Sequence, residues 1–338
     1  MSVFLDFDGT ITAQDTIGEL ASFALRFQEE QRQRQGQGQK REAAPTSAST
    51  STAGPAPTDV KPDSEPPSDL AREWDAVVGA YLADYRAGAD AHHTPPGRRV
   101  SAAQEIEFLR ALKAVEERSL HRVRRCGLFR DVPPAALRAV GARLIADGKV
   151  RLRPGFHEFV DRVAAAEGEG TGKGFQIYVV SVNWSAKFIE GAVGYRPEGT
   201  GEEGRGRVSI EVLANDVRGE DGAIVGPGIL DPGDERADGT ARVLTNSQDK
   251  LDVMQTVLRR EERLAGRPSV YVGDSNTDLE CLLAADRGIV MADGPDSALL
   301  QTLKRIGRDV PHIRDTGGAR GISWTSDFTD ILENVEFW

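Results

Sequence analysis

Met1-Ser2-Val3-Phe4-Leu5-Asp6-Phe7-Asp8-Gly9-Thr10 opens the chain and decides how the rest of it is read. Ser2 to Phe7 is a short, mostly apolar run closed by a Gly-Thr turn, the pattern of a buried strand. Side chains alternate along an extended chain, so Asp6 and Asp8 point to the same side. Two adjacent carboxylates repel unless something positive compensates, so the pair implies a cation. Oxygen ligands at a small site suit Mg²⁺. Gly9 permits a tight turn. Read alone, the same residues could form an exposed acidic turn, and the residues downstream separate the two readings.

Outward from that strand, residues 15–29 look helical, with Ile17, Leu20, Ala21, Ala24, Leu25 and Phe27 near helical spacing and Asp15 or Thr16 as a cap. From 30 to 68 the composition turns to Gln, Arg and Gly, then to Ser, Thr, Ala and Pro. Such a segment buries too little surface to offset its ordering entropy and is expected to be disordered, as a surface insertion or as a regulatory tail. Helical stretches follow at 69–88, 101–126 and 133–147, the last opened by Pro133-Pro134. Together they read as an all-helical insert over 69–149.

Beyond 150 the pattern alternates. A helix (155–167) leads to a strand from Phe175 that closes at Ser181. A helix (184–191), a strand pair with a Gly-rich turn (207–229), a helix (248–264) and a strand (269–272) follow. A helix starting near Asn276 and a strand near 288–291 come last. Alternating strands and helices predict an α/β fold: a Rossmann-like parallel sheet covered by helices on both faces. Residues 1–29 and 150–338 would form this core, with the helical segment inserted as a cap. The C-terminal tail, with Trp324 and Trp338, is apolar enough to pack on it.

Three further features fall where α/β sheets build sites, at strand ends and helix starts. Ser181 closes an apolar strand, where its hydroxyl could bind an oxyanion or simply shape a turn. Lys250 opens an amphipathic helix (Leu251, Met254, Val257, Leu258), a position at which its charge opposes the helix dipole. A phosphate-facing lysine explains that placement; a solvated surface lysine remains the alternative. Gly273-Asp274-Ser275-Asn276-Thr277-Asp278 follows Ser269-Val270-Tyr271-Val272, and acids four residues apart share a helical face.

In this order the four features resemble the haloacid dehalogenase superfamily, whose phosphatases carry Asp-x-Asp-x-Thr, then Ser or Thr, then Lys, then Gly-Asp-x-x-x-Asp. The insert lies where that family places a C1 cap. Its helical character, with Ile17-Gly18-Glu19-Leu20-Ala21 after the first motif, looks like the phosphoserine-phosphatase branch.

The resemblance implies a Mg²⁺-dependent phosphate-monoester hydrolase acting on a small phosphorylated metabolite. Asp6 would be the nucleophile and would form an aspartyl-phosphate, with Asp8 as general acid and then base. Mg²⁺ would be held by Asp6, the Asp8 carbonyl and Asp274, with Asp278 orienting its water shell or Lys250. Ser181 and Lys250 would bind the phosphoryl oxygens, and Gly9 and Thr10 would complete the cradle. The same residues would also serve a phosphotransferase or phosphomutase, or a catalytically idle binding protein.

Two departures bear on substrate. The branch follows its motif serine with Gly-Gly, whereas this chain has Val182-Asn183-Trp184, and Val182 and Asn183 are placed with the substrate-binding residues. Nine residues after the nucleophile the branch carries a Glu that reads the substrate's amino group; Asp15 stands there, facing substrate or capping a helix. The basic run Arg118-Ser119-Leu120-His121-Arg122-Val123-Arg124-Arg125 could steer an anionic substrate or form a solvated helix face.

Composition narrows the classes. The net charge is −11 and the pI about 5.1, which supplies no general attraction for nucleic acid. Cys126 and Cys281 lack metal-ligand spacing and suit reduced thiols. No apolar run approaches the roughly 20 residues that span a bilayer, and no secretory leader is expected. A cytoplasmic location follows, with the nucleus also open. The oligomeric state is not legible.

Overall fold

In chain order the elements are β1 (Ser2–Leu5), α1 (Ile17–Glu42), α2 (Asp69–Ala91), α3 (Ala102–Ala111), α4 (Lys113–Cys126), α5 (Pro134–Ala146), α6 (Phe156–Gly168), β2 (Gln176–Ser181), α7 (Ala186–Gly194), β3 (Ile210–Ala214), β4 (Asp216–Arg218), β5 (Ala223–Val225), α8 (Ser247–Arg260), β6 (Ser269–Gly273), α9 (Leu279–Ala284), β7 (Arg287–Met291), α10 (Ala298–Arg305), β8 (Gly321–Thr325) and α11 (Phe328–Asn334). The structure, a computed structural model, describes residues 1–42, 69–168, 176–196, 210–230, 242–260, 268–316 and 320–335. Of the segments expected from sequence, 43–68, Phe175, 207–209, 261–264 and Trp338 lie outside the described residues.

Six strands form one parallel sheet in the order β3-β2-β1-β6-β7-β8, and β4 and β5 pair as a separate antiparallel hairpin. From β1 the chain builds β2 and β3 on one side, then returns to build β6, β7 and β8 on the other. That reversal beside β1 opens a crevice at the strands' carboxyl ends. The pairing of Leu5 with Val179 and with Val272 brings Asp6 level with Val180 and Gly273. Ser181 and Asp274 are each one residue further along their strands.

The strands hold this register because both faces are buried. Val3 and Leu5 of β1, with Ile177, Val179, Val270 and Val272, pack beneath Phe156, Phe159, Phe188 and Phe328. Phe4, Tyr178 and Tyr271 point to the opposite face, against Val253, Met254, Val257, Leu279 and Leu299. The rings of Phe4 and Tyr178 stack there with centroids 5.1 Å apart.

Several expectations are corrected. The disorder expected from residue 30 does not start there, because α1 continues to Glu42. Gln and Arg are good helix formers, and Glu30 and Arg34 pair one turn apart at 3.8 Å. The helix expected over 101–126 is two helices interrupted at Leu112. The C-terminal region supplies a sixth strand, β8, as well as packing helices.

The helical segment expected as an insert over 69–149 is packed on the layers around the sheet. α5 lies against α7, and its Leu137 and Val140 join the cluster that contains Phe188 and Ile189. α2 and α4 pack together, where Asp84 pairs with Arg118 and Arg122. α3 and α4 are tied to the layer on the sheet by Arg110 with Glu280, Lys113 with Asp249 and Arg305 with Glu105. No described helix is long and apolar enough to cross a membrane.

Candidate active site

Asp6 leaves the carboxyl end of β1 almost wholly buried, and the first helical turn of α8 brings Lys250 to it. Lys250 Nζ lies 2.6 Å from Asp6 Oδ2 and 2.7 Å from Asp278 Oδ1, with no exposed surface of its own. Phe7 N donates to Asp6 Oδ1 at 2.7 Å, so both oxygens of the carboxyl are oriented. Burial, and then the neighbouring Asp278 charge, push the Asp6 carboxyl well above the usual range, against the pull of Lys250. Burial acts to lower the lysine, but Asp278 and Asp6 outweigh it and hold Lys250 above its ordinary value. The lysine expected to face phosphate is thus locked behind the aspartate.

Asp8 is gripped from two sides. Its Oδ1 accepts from Thr16 N at 2.8 Å and Thr16 Oγ1 at 2.6 Å, at the amino end of α1. Its Oδ2 accepts from Asn183 Nδ2 at 2.8 Å. Burial lifts the Asp8 carboxyl to about 6, and these hydrogen bonds limit the rise. Asn183, expected to enter the site toward substrate, is fully buried and also bonds Thr16 Oγ1 and Ser185 N. It positions Asp8 from behind. Ser181 Oγ accepts from Asn183 N at 3.2 Å, which leaves its own proton for the cavity it lines.

After β6 the chain turns through a single 3₁₀ turn, Asn276–Asp278. Asp278 folds back beneath it: Oδ1 accepts from Lys250 and from Tyr271 Oη, and Oδ2 from Asp274 N, Ser275 N and Ser275 Oγ. Gly273 makes room, since a Cβ there would come within 2.4 Å of the Asp278 carboxyl carbon. Gly9 has a φ of 73°, and a Cβ there would lie 2.2 Å from Asp274 Oδ2. Thr10 Oγ1 donates to Asp274 Oδ1 at 2.9 Å and is itself fully buried. Burial, then the Asp278 charge, push Asp274 up to about 7.

Carboxylate oxygens of Asp6, Asp274 and Asp278 lie within 4.8 Å of one another. Among the described residues three carboxyl groups there face one ammonium, which leaves the cluster short of positive charge, and every donor is a hard oxygen. A divalent cation of the Mg²⁺ kind fits that set. Asp278 is committed to the five donors above, so Asp6 and Asp274 are the side chains left to hold an ion.

One cavity of about 520 Å³ opens onto these groups. Asp6, Asp8, Gly9, Ser181, Val182 and Asp274 line its floor, and α2 and α4 form its roof. Asp15 lines it too, and its Oδ1 accepts from Ile17 N at 2.8 Å, so it caps α1 as well. The basic run on α4 is turned elsewhere. Arg118 and Arg122 pair with Asp84, Arg124 pairs with Asp221, and from that run only Ser119, Leu120 and Val123 reach the cavity.

Sequence reading missed three supports. Thr16 was a cap candidate and is Asp8's anchor. Tyr271 braces Asp278, and strand alternation could have pointed it toward the α8 side. Arg153 donates from Nε to Gly9 O at 2.9 Å and from Nη1 to Asp293 Oδ1 at 2.6 Å, bracing the turn after Asp8 across 140 residues or more of sequence. No local signal marks it.

No protein-family model matches the chain. A CTO1 family protein of Schizosaccharomyces pombe is 26% identical over 221 residues, 65% of this chain and 71% of that protein. Among solved structures, a phospho-aspartyl intermediate analogue of phosphoserine phosphatase is 14% identical, with 99% of this chain and 98% of that one covered and a TM-score of 0.43. A HAD family hydrolase from Salmonella enterica subsp. enterica serovar Typhi is 13% identical, with 99% and 71% covered and a TM-score of 0.47.

Proposed function

We propose that this chain hydrolyses a small-molecule phosphate monoester with Mg²⁺, through an aspartyl-phosphate on Asp6. One observation carries the reading: at the carboxyl ends of three adjacent strands, Asp6 with Lys250 at 2.6 Å, Asp8, Ser181 and Asp274 surround the floor of one cavity. Asp6 attacks phosphorus, and the bond to the ester oxygen breaks as the new Asp6–phosphorus bond forms. Asp8 gives its proton to the leaving oxygen. Asp8 then takes a proton from water, whose oxygen attacks phosphorus and frees Asp6 and inorganic phosphate. Ser181 donates to a phosphoryl oxygen, and Lys250 holds the charge balance behind Asp6. Asp6, Asp274 and the Asp8 carbonyl would hold Mg²⁺, which when bound screens the like charges of carboxylate and phosphate.

The direct test is phosphate release from a panel comprising an aryl phosphate, phosphoserine, phosphocholine and pyridoxal phosphate. Turnover should require Mg²⁺ and stop with EDTA. Equal release in EDTA would remove the metal from the reading, and no release from any ester would remove hydrolysis. In a melting experiment, saturating Mg²⁺ should raise Tm by on the order of 5 °C, and Asp274→Asn should erase the shift. The ion competes with a proton on Asp274, whose folded-state pKa is raised to about 7, so the shift should grow as pH rises through that value. An unchanged shift in Asp274→Asn would place the ion elsewhere.

The raised pKa of Asp8, about 6, bears on its role as acid. A carboxyl lifted in the folded state is protonated below that pH and loses its proton above it. Turnover of an alkyl monoester should therefore fall as pH rises through about 6. A nitrophenyl ester, whose leaving group needs no proton, should not show this fall. Identical profiles for the two esters would take Asp8 out of the acid role.

A further inference from the structure

α2 ends at Ala91, and His92-His93-Thr94-Pro95-Pro96 carries the chain on toward α3. Two successive prolines cannot continue a helix, so both histidines sit in the turn that leaves it. Along the sequence the pair has no third ligand beside it. The fold supplies one from α3. Glu107 brings Oε1 to 3.8 Å from His93 Nε2. A ring nitrogen of His92, a ring nitrogen of His93 and a carboxylate oxygen of Glu107 all lie within 4.8 Å of one another.

The inner side of this turn is anchored. The half-buried His92 ring meets Phe108 edge to face, with centroids 5.3 Å apart, and stacks on His93 at 4.6 Å. Its Nδ1 lies 3.2 Å from both Thr94 N and Thr94 O, and Nε2 has no hydrogen bond among the described residues. A backbone partner at one ring nitrogen is what orients a ligating histidine. Thr94 O in turn accepts from Arg99 Nη1 at 3.2 Å, and Arg99 is buried against Glu105 at 2.8 Å. His93 and Glu107 are exposed, and among the described residues each is the other's only ion-pair partner. An exposed ion pair contributes little to stability and needs only one imidazole.

The donor set names the ion. Two imidazoles and a carboxylate suit Zn²⁺ or a neighbouring transition metal, whereas the oxygens of Asp6 and Asp274 suit Mg²⁺. Ligand atoms bound to one tetrahedral Zn²⁺ stand roughly 3.3 Å apart, so the gap between His93 and Glu107 needs to close by only about 0.5 Å. Both side chains are free to turn that far without disturbing the core.

We propose that His92, His93 and Glu107 form a second cation site, for a Zn²⁺-class ion, which ties the end of α2 to α3. α3 is itself joined to the layer on the sheet by Arg110 with Glu280 and by Arg305 with Glu105, so a bound ion links a helix of the cavity roof to that layer. The inference stands apart from the phosphatase reading and does not depend on it.

The test is Zn²⁺ calorimetry on the full chain carrying Asp274→Asn, stripped with EDTA, dialysed and then held in excess Mg²⁺. That background disables the carboxylate site as a competing sink for zinc. One equivalent of Zn²⁺ should bind, and Mg²⁺ should not displace it. His93→Ala and Glu107→Gln alter exposed side chains on either side of the junction, and each should weaken binding tenfold or more. X-ray absorption at the zinc edge should show two imidazoles at about 2.0 Å. Absence of a zinc equivalent, binding unmoved by either substitution, or a shell of oxygen alone would each overturn the proposal.

Discussion

Asp6→Asn is expected to lower phosphate release by on the order of 10⁴-fold or more while the fold survives. An amide has no lone pair on oxygen basic enough to displace an alkoxide, so the covalent step has no substitute donor. The fold should tolerate the change for a local reason. Lys250 keeps Asp278 as a partner at 2.7 Å, so no ammonium is left unpaired. The carboxyl being replaced is one that burial and the Asp278 charge already disfavour in its ionised form. The Asn oxygen can still accept from Phe7 N, the 2.7 Å bond that orients Asp6. Steady-state release, with the melting temperature measured on the same preparation, checks both halves. Turnover within tenfold of the parent would remove the covalent route.

Lys250→Met is expected to cost about 3–5 kcal/mol of stability, because it leaves buried acid with no counter-charge. Lys250 is fully enclosed and bridges Asp6 and Asp278. Methionine fills much of the same volume, so the loss reports charge rather than a cavity. Restoring neutrality should recover part of it: Lys250→Met with Asp278→Asn should be more stable than Lys250→Met alone. The pH dependence has a definite sign. Burial and Asp278 already hold Asp6 well above the ordinary carboxylate range, and losing the lysine raises it further. A carboxyl with a raised folded-state pKa opposes folding when it is ionised, so the penalty should be large at alkaline pH. It should fade as pH falls through the folded pKa toward the ordinary carboxylate value. Denaturant unfolding at several pH values measures this, and a penalty independent of pH would assign the loss to packing.

The two variants separate what the cluster does. In the proposed reaction Asp6 carries the chemistry, and Lys250 makes it possible to bury that much negative charge beside it. Asp274, Thr10 and Gly9 form a third part, in which the absence of a Cβ at Gly9 lets the Asp274 carboxyl approach the turn. Asn183 and Thr16 hold Asp8 from the side away from the cavity. Asp6, Asp8 and Asp274 therefore each rest on a neighbour drawn from a distant part of the chain, Lys250, Asn183 and Thr10.

Read by itself, the chain determined its class and its chemical groups. Apolar runs ending in Asp6, Ser181 and Gly273-Asp274 are local patterns, because a strand buried on both faces must be apolar and the polar residue after it must lie at the sheet's end. Lys250 was legible for a similar reason, since a cation in the first turn of a helix opposes the dipole and needs a partner elsewhere. Local pattern also misled. The Gln- and Arg-rich segment after residue 29 lacks apolar content, yet α1 continues to Glu42. The tertiary structure alone decided which groups face the cavity and which stand behind it. Asn183 and Lys250 were both expected to point at substrate, and both are enclosed, because partners 28 to 244 residues away satisfy them. It alone turned the α4 arginines onto Asp84 and Asp221 and left Glu116 in the roof. Which face of a helix meets a site is set by the helix it packs against, and that contact is not encoded within the helix's own few turns.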